Sequence, residues 1–353
     1  MVTRRRGHPR DDRALEGIGV QLLAVSDPSQ AAGIRRAAAA LGNELGFNET
    51  ESGKLAIVVT EVATNLLKHG HGGHVLLRSL NHYGVPAIEV VGIDSGPGMT
   101  DPGECLRDGY STAGSAGTGL GAIQRLSWES EIHSQPGRGT VVRAVCGRSA
   151  RPAATTTGSP PLEVGIVQAA YPGEDVCGDA VAASESPAGV RVLMADGLGH
   201  GLLAYEAAQR AVRTFHDHSG LDIVTQMSRL HDALRSTRGA ASAIADIDES
   251  AAVVRFCGVG NIAAVVIGAT RSNHLVSMPG ITGHQARSLR SFEQEWSSSS
   301  TLVLHSDGLT SKWDLKDYPG LAARSASVVA ATLFRDARRT NDDASIAVVK
   351  RRA

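Results

Sequence analysis

Apolar positions along the chain fall into two blocks of strand-like and helix-like runs, separated by a stretch that has neither. In the first block, residues 18–25 alternate weakly, as a half-buried strand does. Asp27-Pro28 then reads as an N-cap followed by proline at the first helical position. Ile34, Ala37, Ala38, Leu41 and Leu45 recur at helical spacing, and Gly46 supplies the stop. A second helix is expected over residues 48–68, with Leu55, Val58, Val59, Val62 and Leu66 on its buried face. Strand-like runs at 75–80 and 87–93 are joined by a turn at His82-Tyr83-Gly84. A short helix at 120–126 precedes a hairpin, 128–134 and 140–145, that turns at Pro136-Gly137-Arg138-Gly139. Sheet and helices in mixed order predict an α+β fold, an α/β sandwich.

Residues 148–161 carry Pro152, Thr155, Thr156, Thr157, Gly158, Ser159, Pro160 and Pro161 and cannot bury a core, so they read as a linker. Beyond them, strands are expected at 164–169, 190–195, 240–246, 251–257, 261–268, 272–278, 301–305 and 345–350. Helices are expected at 202–216, 223–236 and 325–338. The chain therefore divides into a tail (1–16), a first domain (17–147), the linker and a second domain (162–353). Two domains suit a chain of 353 residues.

Composition narrows the class. A net charge of -1 gives no global basic field for nucleic acid. Cys105, Cys146, Cys177 and Cys257 are scattered with no C-x-x-C, which favours reduced thiols and a cytoplasmic setting over a disulfide framework or a zinc site. No apolar run approaches the roughly 18 residues of a membrane span. The Arg-rich start lacks the apolar core of a secretory signal and reads as a disordered tail.

The chemistry of the first domain centres on Asp94-Ser95-Gly96-Pro97-Gly98-Met99. An apolar run ends at an acid that can accept a hydrogen bond from an exocyclic amine such as adenine's. Alternate glycines follow, and a second cluster, Gly117-Thr118-Gly119-Leu120-Gly121, opens a helix. Glycines permit close backbone approach to a ligand, and helix-start amides bind phosphate. The pattern is neither a Walker A loop nor a Rossmann fingerprint. On the helix at 48–68, Glu61 and Asn65 are one turn apart and share a face. An Asn oxygen can ligate Mg2+, and a Glu can take a proton from an attacking hydroxyl. The pair alone reads more simply as an exposed polar face. The polar stretch 101–115 could form a lid.

Glu61-x-x-x-Asn65, Asp94-x-Gly96-x-Gly98 and Gly117-x-Gly119-x-Gly121 resemble the N, G1 and G2 boxes of the GHKL ATPase superfamily. Leu106-Arg107-Asp108-Gly109-Tyr110-Ser111-Thr112 and Gly119-Leu120-Gly121-Ala122-Ile123 resemble the RsbT-like switch kinases within it. The resemblance implies a Bergerat-type sandwich that binds ATP and Mg2+ and transfers the γ-phosphate to Ser or Thr of a STAS-domain antagonist. By motif position Asp94 contacts adenine, Asn65 holds Mg2+ and Glu61 is the base. Gly117, Gly119 and Gly121 lie along the phosphates.

In the second domain four acids stand at strand ends or in loops: Asp179, Asp196, Asp307 and Asp342. Carboxylates suit hard, octahedral Mg2+ or Mn2+, and two such ions could set up in-line attack on a phosphate ester. One Asp-Gly pair alone reads as a turn. Gly178-Asp179, Asp196-Gly197-x-Gly199-His200-Gly201, Ser306-Asp307-Gly308 and Asp342-Asp343-Ala344-Ser345 resemble the metal motifs of PPM-type phosphatases, SpoIIE branch. The Pro172-Gly173-Glu174 lead-in resembles the RsbX-like members. The resemblance implies an α-β-β-α sandwich with protein serine/threonine phosphatase activity. Asp179, Asp196, Asp307, Asp342 and the Gly197 carbonyl would be ligands of two Mn2+ or Mg2+, with Asp343 behind them. It assigns no phosphate-clamping Arg. His200 could act as an acid near the leaving group, though a lone loop His is more often structural.

Together these readings predict a bifunctional partner-switching regulator acting on a STAS-domain protein, in a sigma-factor regulatory complex or stress response. The alternative is a nucleotide-gated binding module that sequesters or activates its partner, fused to an active phosphatase.

Overall fold

A computed structural model describes residues 14–15, 19–82, 84–102, 119–148, 162–186, 188–286 and 288–352. The linker from 149 onward, most of the lid stretch, Cys105 and Gly117 lie outside them. The first domain begins with β2 (Gln21–Val25), which follows a two-residue strand β1 (Ala14–Leu15). Helix α1 (Pro28–Glu44) starts at an Asp27 capping box with Gln30, and α2 (Glu49–Lys68) at an Asn48 capping box with Glu51. Then come β3 (Gly73–His82), β4 (Val85–Ile93), α3 (Gly119–Leu126), β5 (Glu129–Gln135) and β6 (Gly139–Gly147). The five strands from β2 to β6 form one sheet in the order β2-β3-β4-β6-β5. One face, with Val75, Leu77, Ile88, Val90, Val142 and Ala144, packs on the helices.

The second domain holds two sheets. The first runs β1-β8-β9-β10-β11-β14, with β15 also on β11. It comprises β8 (Asp179–Ser186), β9 (Gly189–Gly197), β10 (Ala240–Asp248), β11 (Val253–Val259), β14 (Ser277–Met278) and β15 (Phe292–Glu295). The second runs β13-β12-β16-β17-β7, from β7 (Leu162–Ala169), β12 (Ala263–Ile267), β13 (Ser272–Leu275), β16 (Thr301–His305) and β17 (Ala344–Arg351). The sheets meet through a core that includes Ile166, Val192, Met194, Phe256 and Leu304. Helices α4 (Leu202–Asp217) and α5 (Ile223–Leu234) cover the first sheet, and α6 (Ala326–Ala337) covers the second.

The sequence expectations differ from this at several places, among them β15, which no expected strand covers. Strand β8 was not anticipated, because Gly178-Asp179 reads as a loop when its partner β9 is not in view. The run at 272–278 splits between the two sheets, β13 pairing with β12 and β14 with β11. The tail contributes β1, which pairs with β8.

The two domains share a core. Helix α6 lies between the second sheet and the outer face of the first domain's sheet, and every one of its positions from Ala326 to Phe334 is buried. Leu76, Val91, Ile93 and Val141 join Val328, Val329 and Leu333 in one cluster with Val167, Val303 and Val348. The order of layers is thus helices, sheet, α6, sheet, sheet, helices. Arg78 pairs with the fully buried Glu89 of its own sheet and, across the seam, donates to the Val164 carbonyl (2.8 Å) and to Ser327 Oγ (3.0 Å).

Candidate functional sites

Helix α2 carries Glu61 and Asn65 because its apolar stripe is buried on the sheet and leaves this polar pair on the flank. Gly119, the first residue of α3, sits on that pair: a Cβ there would lie 2.7 Å from Glu61 Oε2 and 3.6 Å from Asn65 Oδ1. The end of α2 abuts the acid loop, since a Cβ on Gly70 would meet Asp94 Cβ at 2.6 Å, and one on Gly96 would meet the His69 carbonyl at 2.8 Å. Asp94 follows β4 and accepts hydrogen bonds at Oδ1 from the backbone N–H of Gly96 (2.9 Å) and Thr140 (3.1 Å). Burial pushes its pKa up, against these bonds and the nearby Arg335. Gly98 adopts φ 69° with no room for a side chain, a Cβ there falling 2.1 Å from the Gln135 carbonyl.

Glu61, Asn65, Asp94, Gly96, Gly98 and Gly119 thus gather around the junction of α2, α3 and the end of β4, and Gly121 lies buried in α3. Gly117 lies outside the described residues. The residues suit a nucleotide: among the described residues the buried Asn65 Nδ2, a donor fit for a phosphate oxygen, has no partner, and α3 begins with glycine beside a carboxylate and an amide. Sequence reasoning missed Thr140. Its signal was the Gly139-Thr140 pair opening the strand beside β4.

In the second domain Asp179 and Asp196 are direct cross-strand partners at the ends of β8 and β9. Asp307 follows β16, and Asp342 and Asp343 precede β17, the strand paired with β16. Burial raises the pKa of Asp179 and of Asp196, and neighbouring acids raise both further: Asp343 and Asp307 act on Asp179, and Asp179, Asp307 and Asp342 on Asp196. Asp342 is raised by burial and by Asp307. The five carboxylates therefore stand within one electrostatic neighbourhood. Among the described residues, no three of the side chains already meet at the separations a bound ion would impose.

The donor set fits divalent cations. Among the described residues, Asp179 Oδ1 and Asp343 Oδ2 are buried carboxylate oxygens with no hydrogen-bond partner, in an all-oxygen cluster whose like charges raise one another's pKa. Supporting bonds hold the acids in place. Ser306 donates to Asp179 Oδ2 (2.7 Å), Tyr171 N–H to Asp343 Oδ1 (2.8 Å) and Asn261 to Asp307 Oδ2 (2.7 Å). Gly197 must be glycine, since a Cβ would lie 2.2 Å from the Ala204 carbonyl. Sequence reasoning gave no role to Ser306 or Asn261; Asn261 reaches Asp307 because β12 pairs with β16, and Ser306 reaches Asp179 because the two sheets meet. His200 lies at the surface, its Nδ1 2.8 Å from Glu174 Oε1 and its ring stacked on Tyr171 at 4.4 Å.

Comparison with known proteins finds a match in each part of the chain. Residues 24–146 match the family described as "Histidine kinase-like ATPase domain", and residues 186–352 match "Stage II sporulation protein E (SpoIIE)". The chain is 29% identical over 105 residues to the serine/threonine-protein kinase RsbT of Bacillus subtilis, covering 30% of this chain and 79% of that protein. It is 23% identical over 138 residues to the phosphoserine phosphatase RsbX of the same organism, covering 39% of this chain and 69% of RsbX. A chain from the structure "The bacterial stressosome: a modular system that has been adapted to control secondary messenger signaling" superposes with TM-score 0.51 at 26% identity, covering 54% of this chain and 99% of that one. The polypeptide thus joins a histidine kinase-like ATPase domain homologous to RsbT to a SpoIIE-type PPM phosphatase domain homologous to RsbX.

Proposed function

We propose that the chain is a bifunctional partner-switching regulator. Its first domain phosphorylates Ser or Thr of a STAS-type antagonist with ATP, and its second hydrolyses phosphoserine or phosphothreonine on the same or a related protein. The reading places it in control of a sigma factor or stress response. The observation that supports it most is the gathering of Asp179, Asp196, Asp307 and Asp342 into one electrostatic neighbourhood, in the same chain that gathers Glu61, Asn65 and Asp94.

In the first site Glu61 would take the proton of the attacking hydroxyl, Asn65 would hold the cation of Mg-ATP, and Asp94, aligned by Gly96 and Thr140, would accept from the adenine amine. In the second, Asp179, Asp196, Asp307, Asp342 and the Gly197 carbonyl would hold two Mn2+ or Mg2+, which supply charge neutralisation and a nucleophile at neutral pH. Ser306 keeps Asp179 turned to the site, and Asn261 does the same for Asp307.

The test has two arms. Label transfer from γ-labelled ATP to a STAS-domain protein is expected from the native chain and lost in Asn65→Ala. Manganese-dependent release of that label is expected to be lost in Asp196→Ala. Unchanged activity in either variant removes the corresponding assignment. ATP-dependent complex formation without labelling replaces the kinase with a nucleotide-gated binding module.

A further inference from the structure

Six large hydrophobic side chains stand exposed among the described residues, and three of them cluster. Leu198, Leu202 and Leu203 are 37%, 61% and 49% exposed and lie just beyond Asp196 and Gly197. Leu202 and Leu203 form the first turn of α4, an otherwise well-packed helix whose Ala204, Ala207, Ala208 and Ala211 are buried. Among the described residues these outward leucines at the helix start are left uncovered.

Leu202 and Leu203 border an open cavity of about 430 Å³, also lined by Gly199, His200, Gly201, Glu174 and Arg238. Arg238 reaches over the loop after Gly197, its Nη1 3.0 Å from where a Gly199 Cβ would stand. The loop is tied to the segment bearing that arginine, since Leu198 N–H donates to the Gly239 carbonyl (3.1 Å). The cavity's one carboxylate, Glu174, is engaged by His200. Among the described residues no acid pairs with Arg238. The site therefore combines an unneutralised guanidinium, a neighbouring acid cluster suited to cations and an apolar shelf.

We infer that this face is the docking platform for a phosphorylated protein segment, with Arg238 orienting the phosphoryl group and Leu202 and Leu203 receiving an apolar side chain next to the phosphoresidue. A guanidinium matches a phosphate's oxygens in bidentate fashion. A free phosphate or small phosphomonoester would use the arginine and leave the leucines uncovered. A polypeptide substrate covers both, and the loop that ties Arg238 to this face begins directly after Asp196, which sets the orientation toward the acids. Arg238 is a positioning residue here, filling the role that the sequence motifs left unassigned.

The inference rests on the phosphatase reading, and the experiment separates the two. The full-length chain with Mn2+ is assayed on phosphothreonine peptides carrying Leu or Ser beside the phosphoresidue, with inorganic phosphate as competitive inhibitor. The native chain is expected to favour the Leu peptide about tenfold in kcat/KM, through KM, and the double variant Leu202→Ser/Leu203→Ser to lose that preference. Arg238→Ala is expected to weaken inhibition by inorganic phosphate about tenfold, and Arg238→Lys to restore part of it. All three positions are exposed, so folding, checked by thermal melting, is expected to persist. No preference in the native chain, a preference kept by the leucine variant, or an unchanged phosphate inhibition constant in Arg238→Ala overturns the platform while leaving the phosphatase intact. Absence of turnover in the native chain on every peptide overturns both.

Discussion

Glu89 is a carboxylate with no exposed surface, held between Arg78 (2.7 Å) and Arg143 (2.6 Å) on the face of the first domain's sheet that meets α6. Burial works against its charge, but the two guanidiniums outweigh that and hold its pKa at about 2. A buried charge is tolerated only when paired, and removing one partner of such a pair costs about 3–5 kcal/mol. Glu89→Gln is therefore expected to destabilise the protein by about 3 kcal/mol at neutral pH, as read by denaturant unfolding. The sign of the pH effect follows from the depressed pKa. The contribution of Glu89 is fully present above the carboxyl's ordinary value of 4.5 and is lost as pH falls toward about 2. An acid titration of stability that is the same in native and Glu89→Gln chains would count against this assignment.

At the scale of elements, α6 belongs to one domain and is capped by the other. Its N-cap residue Ser325 makes no side-chain capping bond of its own. Instead, Ser325 N–H and Oγ–H both donate to Glu131 of β5, and Ala326 N–H donates to Glu163 of β7 (2.8 Å). Two carboxylates thus sit at the positive end of the helix dipole, one of them 194 residues away in sequence. Glu131→Ala is expected to cost about 1 kcal/mol, the size of a lost cap, in chemical denaturation. An unchanged midpoint would mean that water replaces the carboxylate there. The other end of α6 braces the acid loops: Arg339 N–H donates to the Gly308 carbonyl (2.8 Å), Thr310 N–H to the Ala337 carbonyl (2.9 Å), and Arg338 to the Ala170 carbonyl (3.3 Å).

For the whole molecule, a shared core and a buried ion network imply one cooperative unit rather than two domains on a tether. A single calorimetric transition is expected, and Mn2+ and an ATP analogue are each expected to raise its midpoint, because a ligand of either site stabilises everything that unfolds with it. Two resolved transitions, each answering one ligand, would contradict this. The sequence by itself determined much of the molecule. Periodicity and caps placed nearly all helices and strands, because each buries one face and its period shows in the chain. The glycine and acid motifs marked both sites, because close backbone approach and cation binding restrict residue type position by position. It also held a sign of the seam that went unread: β3, β4 and β6 carry apolar residues on both faces, as strands covered on both sides do. Only the tertiary structure decided that α6 is what covers the second face, that Glu131 caps it, that Ser306 and Asn261 orient the acids, and that Arg238 stands beside the leucines. These are contacts between segments far apart in the chain, and no local pattern encodes which distant surface a buried face will meet.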